Sequence, residues 1–209
     1  MKKKFNKYNN LKFQFHPNQD KINKFLEKIH LFGKIYHNNL NYSFKKCPLN
    51  IKEEKKFEVL ETNIITKTGI DNYWIGTICN NELKNGEEHK WTIKILKANK
   101  NLDIMIGIAP INFDINSSSY SNCGWYLYCN TFYSNPVLYS GPPHNYNAKG
   151  TNLKKVKDEI IVIMNMNKRT LKFIIDNEDK GDSYTDIPID KPLFPAIFLY
   201  HKDDSIEII

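Results

Sequence analysis

The chain has 209 residues, 41% hydrophobic and 25% charged, which suits one globular domain with an extension and a core that needs no disulfide staples. Its net charge of +7 is uneven: residues 1–56 hold 14 lysines against four acids, a balance of +10, and residues 57–209 hold 16 basic against 19 acidic side chains, a balance of −3. This disfavours a nucleic-acid reader with its positive charge on the folded face. The basic first quarter can still touch nucleic acid or an anionic lipid surface through screened, sequence-blind attraction.

No apolar stretch follows Met1–Lys4 as a secretory signal requires, and no run approaches about 18 uncharged apolar residues. A cytoplasmic or nuclear setting is therefore expected. Cys47, Cys79, Cys123 and Cys129 form no C-x-x-C pair and are expected to be free thiols there.

Residues 1–40 read as a basic extension. Phe13 and Phe15 alternate as in a short strand. Asn18 can cap a helix whose face carries Ile22, Phe25, Leu26 and Ile29 at i, i+3, i+4 and i+7. One amphipathic helix is expected over 18–32. From residue 41 onward the period becomes two. Strands are expected at Tyr42/Phe44, Phe57/Val59, Ile64/Thr66, Tyr73–Ile75, Trp91/Ile93/Ile95, Ile104/Ile106/Ile108, Trp125/Leu127, Ile161/Ile163, Leu171/Phe173/Ile175, Phe194–Leu199 and Ser205–Ile208. They recur at about ten-residue spacing, which argues for an all-β, antiparallel two-sheet β-sandwich over 41–209. Asn85-Gly86, Asn165–Arg169 and Asp176–Gly181 supply the turns, with Asn177 and Gly181 best able to take the left-handed conformation. Trp91, Trp125, Met105, Ile106, Leu171 and Phe173 are expected in the core.

The order of motifs from residue 86 to 209 resembles the SPRY (B30.2-related) domain. Gly86-Glu87-Glu88-His89-Lys90-Trp91 is similar to the family's opening Gly…His-x-Trp strand. Met105-Ile106-Gly107-Ile108-Ala109 and Cys123-Gly124-Trp125-Tyr126-Leu127-Tyr128 resemble the next two signatures. Leu138–Gly141, Asn165–Phe173, Asp176–Tyr184 and Pro192–Ala196 follow in the family's order. Asn165, Arg169 and Asn177 stand where the family has Asp, Gly and Gly. No RING, B-box, coiled-coil or SOCS-box segment is read. The resemblance implies a concanavalin-like sandwich that binds other proteins and needs no cofactor.

Catalytic patterns are sparse. The histidines His16, His30, His37, His89, His144 and His201 show no HExxH or Cys/His metal spacing, and the nine glycines make no phosphate loop. Cys79 with His89 is a formal nucleophile–base pair whose plain reading is structural. Asp176, Glu178, Asp179 and Asp182 read as a solvated turn rather than a calcium loop. No catalytic residue, metal or cofactor is expected.

Binding needs only shape, apolar anchors and a few placed polar groups. Three stretches carry aromatics unusual for plain connectors: 116–122 with Tyr120, 139–146 with Tyr139, His144 and Tyr146, and Tyr200-His201-Lys202. In SPRY proteins that bind short peptides, the cleft lies among such loops, which implies Tyr120, Tyr200, His201 and Lys202 as contacts. The expectation is a monomeric, adaptor-like interaction module that takes a peptide or loop of a partner protein. The alternative is a protein contacting anionic lipid or nucleic acid through its basic N-terminal segment, within residues 1–56.

Overall fold

A computed structural model of the chain describes residues 41–47, 51–111, 124–129, 137–140 (backbone only), 159–179 and 181–209. The chain divides into two compact units, Met1–Asn39 and Leu40–Ile209, and everything described belongs to the second. The strand and helix expected within residues 1–40 lie outside the described residues.

Among the described residues a short 3-10 turn, Glu53–Lys55, precedes twelve strands: β1 (Phe57–Leu60), β2 (Ile64–Lys67), β3 (Ile75–Ile78), β4 (Glu88–Lys97), β5 (Ile104–Pro110), β6 (Trp125–Tyr128), β7 (Val137–Ser140), β8 (Glu159–Asn165), β9 (Thr170–Ile175), β10 (Glu178–Asp179), β11 (Leu193–Leu199) and β12 (Ser205–Ile208). They form two antiparallel sheets, as the period-two pattern predicts. One has seven strands in the order β1-β2-β12-β4-β8-β9-β10, and the other five in the order β3-β11-β5-β6-β7.

The inward residues of both sheets make the main core. Trp91, Ile93, Val162, Met164, Leu171, Phe173 and Ile206 come from the seven-stranded sheet, and Ile104, Ile106, Ile108, Trp125, Leu127 and Ile197 from the other. The Tyr184 hydroxyl donates to the Tyr126 carbonyl at 2.9 Å across the interior. All six residues assigned to the core from sequence are buried.

The five-stranded sheet is apolar on both faces. Met105, Ala109, Tyr126, Phe194, Ala196 and Phe198 form a second buried cluster on its far side, which is why β5 and β11 read as nearly unbroken apolar runs. Gly107 is required by close approach: a Cβ there would run into the Trp125 carbonyl. Gly124 has φ +106, and a Cβ would strike the Ile108 carbonyl. The Met-Ile-Gly-Ile and Gly-Trp signatures are thus packing devices.

Three strand assignments need correction. Tyr42/Phe44 make no strand; Phe44 forms one isolated bridge to Cys79. The strand expected at Tyr73 begins at Ile75, because residues 68–74 carry the chain from the seven-stranded sheet to the five-stranded one. Tyr139, read as part of a loop, lies in β7 opposite Tyr126. The reversal expected over Asp176–Gly181 is shorter, since Glu178–Asp179 pair back on β9 as β10; Gly86, Asn177 and Gly181 all have positive φ as expected, and Arg169 takes φ 55 where the family places Gly.

Candidate functional site

Three chain crossings between the sheets meet at one end of the sandwich. They are residues 68–74 (β2 to β3), 98–103 (β4 to β5) and 200–204 (β11 to β12). Strand register makes their ends neighbours, since Leu199 pairs with both Ile75 and Ile104. The residues just beyond these ladders are Trp74, Tyr200 and Asp103. Tyr128, paired with Met105 on the next strand, joins them.

The result is a row of rings along a rim. Trp74 lies 5.0 Å from Tyr200 and 5.6 Å from Tyr128 between ring centroids, and Tyr200 lies 4.8 Å from His201. All the contacts are tilted or edge-on, the geometry aromatic quadrupoles favour. Trp74 and Tyr128 also pack on the outer apolar cluster, so the row is anchored from beneath. All four rings are half-buried. Each therefore keeps part of its surface for a visitor.

Asp103 organises the polar side of this row. Its carboxylate accepts from the Tyr128 hydroxyl at 2.6 Å, and His201 Nε2 lies 2.7 Å from its other oxygen. His201 Nδ1 lies 3.2 Å from Asn72 Oδ1. Hydrogen bonds to a charged acceptor are the strong kind, and here they hold rings from two different segments against one carboxylate. Ile70, on the same crossing as Trp74, is 66% exposed, and the Lys55 ammonium sits 3.9 Å from the Tyr73 ring centroid. Leu102 and Asp203, which border the network, have φ 51 and 69. Such strained backbone is held where surrounding structure over-determines it, often at binding sites.

Of the contacts expected from sequence, Tyr200 and His201 stand in this row, and Lys202 is exposed beside them. Tyr139 is placed as a β7 residue by its backbone. Tyr120, His144 and Tyr146 lie outside the described residues. The connection that holds Tyr120 leaves β5 after Pro110. Pro110 pairs with Leu193, at the end of β11 opposite Leu199.

Trp74, Tyr128, Asp103 and Asn72 are absent from the sequence-derived site. Tyr126 and Tyr128 do alternate with Trp125 and Leu127, which signals an apolar second face. Asp103 carried no such signal, because its role depends on which loops meet.

The catalytic pair weighed from sequence is not offered to a substrate. Cys79 is wholly buried, and burial pushes its thiol far above the ordinary range. His89 is buried, with Nε2 3.0 Å from the Lys84 carbonyl. Burial likewise raises Tyr42 to about 12, with Cys79 and Glu87 adding to the effect. Among the described residues no group of three or more His, Cys, Asp or Glu side chains gathers to hold a metal. An open depression of about 490 Å³ lies elsewhere, on the outer face of the seven-stranded sheet, lined by Lys94, Glu159, Ile161, Ile174, Asp176 and Asn177. It brings together no ring cluster and no shared acceptor.

The two-sheet antiparallel sandwich with chain crossings gathered at its end defines the class of fold. The SPRY domain family matches residues 88–209, and the chain belongs to that family. The structure is similar to the SPRY domain of human HERC1, at 17% identity and a TM-score of 0.58, covering 73% of this chain and 91% of that one. It is also similar to the TRIM65 PSpry domain, at 11% identity and a TM-score of 0.58, covering 87% and 98%. These likenesses carry the fold. No curated protein matches the sequence. SPRY domains are in general protein–protein interaction modules and typically non-catalytic.

Proposed function

We propose that the chain captures a peptide or loop of a partner protein across the rim formed by Trp74, Tyr128, Tyr200 and His201. The observation that carries this reading is the row of rings drawn from three separate segments, two of which, Tyr128 and His201, meet one carboxylate, Asp103. Apolar anchors held in place lose little conformational entropy when a partner arrives. Aromatic side chains also supply most of the energy at binding hot spots. Lys202 and Ile70 extend the same edge with a charge and an apolar side chain.

The test is affinity capture from the native cell with the wild-type chain, Trp74→Ala and Tyr200→Ala, with melting temperatures measured alongside. Loss of one partner in both variants at unchanged melting temperature supports the rim. A partner retained by both rejects it. Tyr120→Ala and His144→Ala, run in parallel, ask whether the other expected loops contribute.

The +10 charge of residues 1–56 supports a second reading, contact with anionic lipid or nucleic acid. Raising salt from about 50 to 200 mM separates the two, since phosphate contacts weaken steeply over that range and a desolvated ring does not.

A further inference from the structure

Lys67 breaks the pattern of its strand. In β2 the inward positions are Ile65 and Lys67, and both are fully buried. A buried ammonium is disfavoured unless partners replace its water, and burial lowers the Lys67 pKa, opposed by the nearby Asp204 and Asp71. An apolar residue would fill an inward strand position without that penalty.

The bonds around Lys67 explain its place. Its ammonium donates to the Asp71 carbonyl at 2.6 Å, inside the 68–74 crossing. Its backbone N–H donates to the Asp204 carbonyl at 3.0 Å, and its own carbonyl accepts from Asp203 N–H at 2.8 Å. The Asp204 side chain is also buried, at 1% exposure. Its carboxylate accepts from Asn99 N–H at 3.1 Å and from His201 N–H at 2.9 Å. Burial, the larger influence, raises the Asp204 pKa, and these backbone donors pull it back. The Lys67 ammonium therefore braces 68–74, its backbone ties the end of β2 to 203–204, and the Asp204 carboxylate braces 98–103 and 200–204. Those three crossings carry Trp74, Asp103, Tyr200 and His201.

We infer that Lys67 and Asp204 are positioning residues, a buried brace that holds the three crossings in their binding arrangement before a partner arrives. The inference rests on the rim being the binding site, but it concerns the free protein. A buried ammonium held by a backbone carbonyl carries a desolvation cost that an apolar side chain of similar length does not. The brace thus trades fold stability for local order at the rim.

Hydrogen–deuterium exchange on the full chain, without partner, tests it with Lys67→Met and Asp204→Asn. The expected result is exchange about tenfold faster or more within 68–74 for Lys67→Met and within 98–103 and 200–204 for Asp204→Asn, while the hairpin turn at 165–170 exchanges at the wild-type rate. Lys67→Met should show this without a fall in melting temperature, a split that simple core packing would not produce. Wild-type exchange at the rim in both variants, or a uniform rise that includes 165–170, overturns the brace. Partner capture is scored separately. Faster rim exchange with undiminished capture would uphold the brace and count against the rim as the binding site.

Discussion

The two ends of the sandwich each place a histidine among loops, and they use it in different ways. At the 165–170 end, His89 is 3% exposed and its Nε2 meets one backbone carbonyl, that of Lys84. Around it, side chains close turns: Asn167 donates to the Gly86 carbonyl, Asn165 donates to Glu88, and Asn165 Oδ1 accepts from Lys168 N–H. At the other end the His201 side chain is 21% exposed, with both ring nitrogens facing side-chain oxygens and rings beside it. The first end spends its polar groups on local turns and on acidic neighbours, Glu87 and Glu88. The second keeps polar and aromatic surface on offer. A histidine's role is thus set by what its nitrogens face, which residue type alone does not disclose.

The largest expected effect belongs to the closed end. His89→Ala removes a buried ring and strands the Lys84 carbonyl, so it should cost about 2–4 kcal/mol of stability in denaturant unfolding. Partner capture by the folded fraction should be unchanged; a specific loss of capture would erase the distinction between the ends. Next is Tyr128→Phe, which deletes one donor to Asp103 and leaves the ring. It should cost about 1–2 kcal/mol and weaken partner binding, read by the same unfolding curve and a titration. Tyr200→Ala should cost about 1 kcal/mol or less, since its ring is half-buried at the rim, yet lower partner affinity about tenfold or more if it is an anchor. An equal loss in stability and binding would mean the ring only packs.

The smallest effect is expected at the exposed Lys172–Asp179 pair, 2.7 Å apart on the β9–β10 edge. The Lys172 hydrogen bond, and then Gly181 N–H, lowers the Asp179 pKa below 3.8. A depressed acid stabilises the fold above its unfolded value and loses that contribution as pH falls through the folded one. Lys172→Met should therefore remove a small acid-side dependence below about pH 4, worth less than about 1 kcal/mol because solvent screens the pair. Chemical denaturation at pH 3 and pH 7 checks it, and the difference should shrink with salt.

Much of the sandwich was legible because strand alternation is a local property. Trp91, Ile93 and Ile95, or Leu171, Phe173 and Ile175, declare an inward face whatever lies opposite. The SPRY motifs were legible for a related reason: Gly107 and Gly124 sit where backbones nearly touch, and only glycine fits. The strand start at Ile75 was less so. Trp74 is as suitable for a strand as for a rim, and only the crossing between sheets decides.

By itself, then, the order of residues determined the two-sheet class, the core and the turns, because each follows from period and from the shape of a few side chains. Tertiary structure alone decided that Asp103 would serve Tyr128 and His201 together, and that a lysine on an inward strand position would find the Asp71 carbonyl for its ammonium. Asp103 lies 98 residues from His201 and 25 from Tyr128. No local rule joins groups so far apart along the chain; the closing of two sheets brings them within hydrogen-bonding distance.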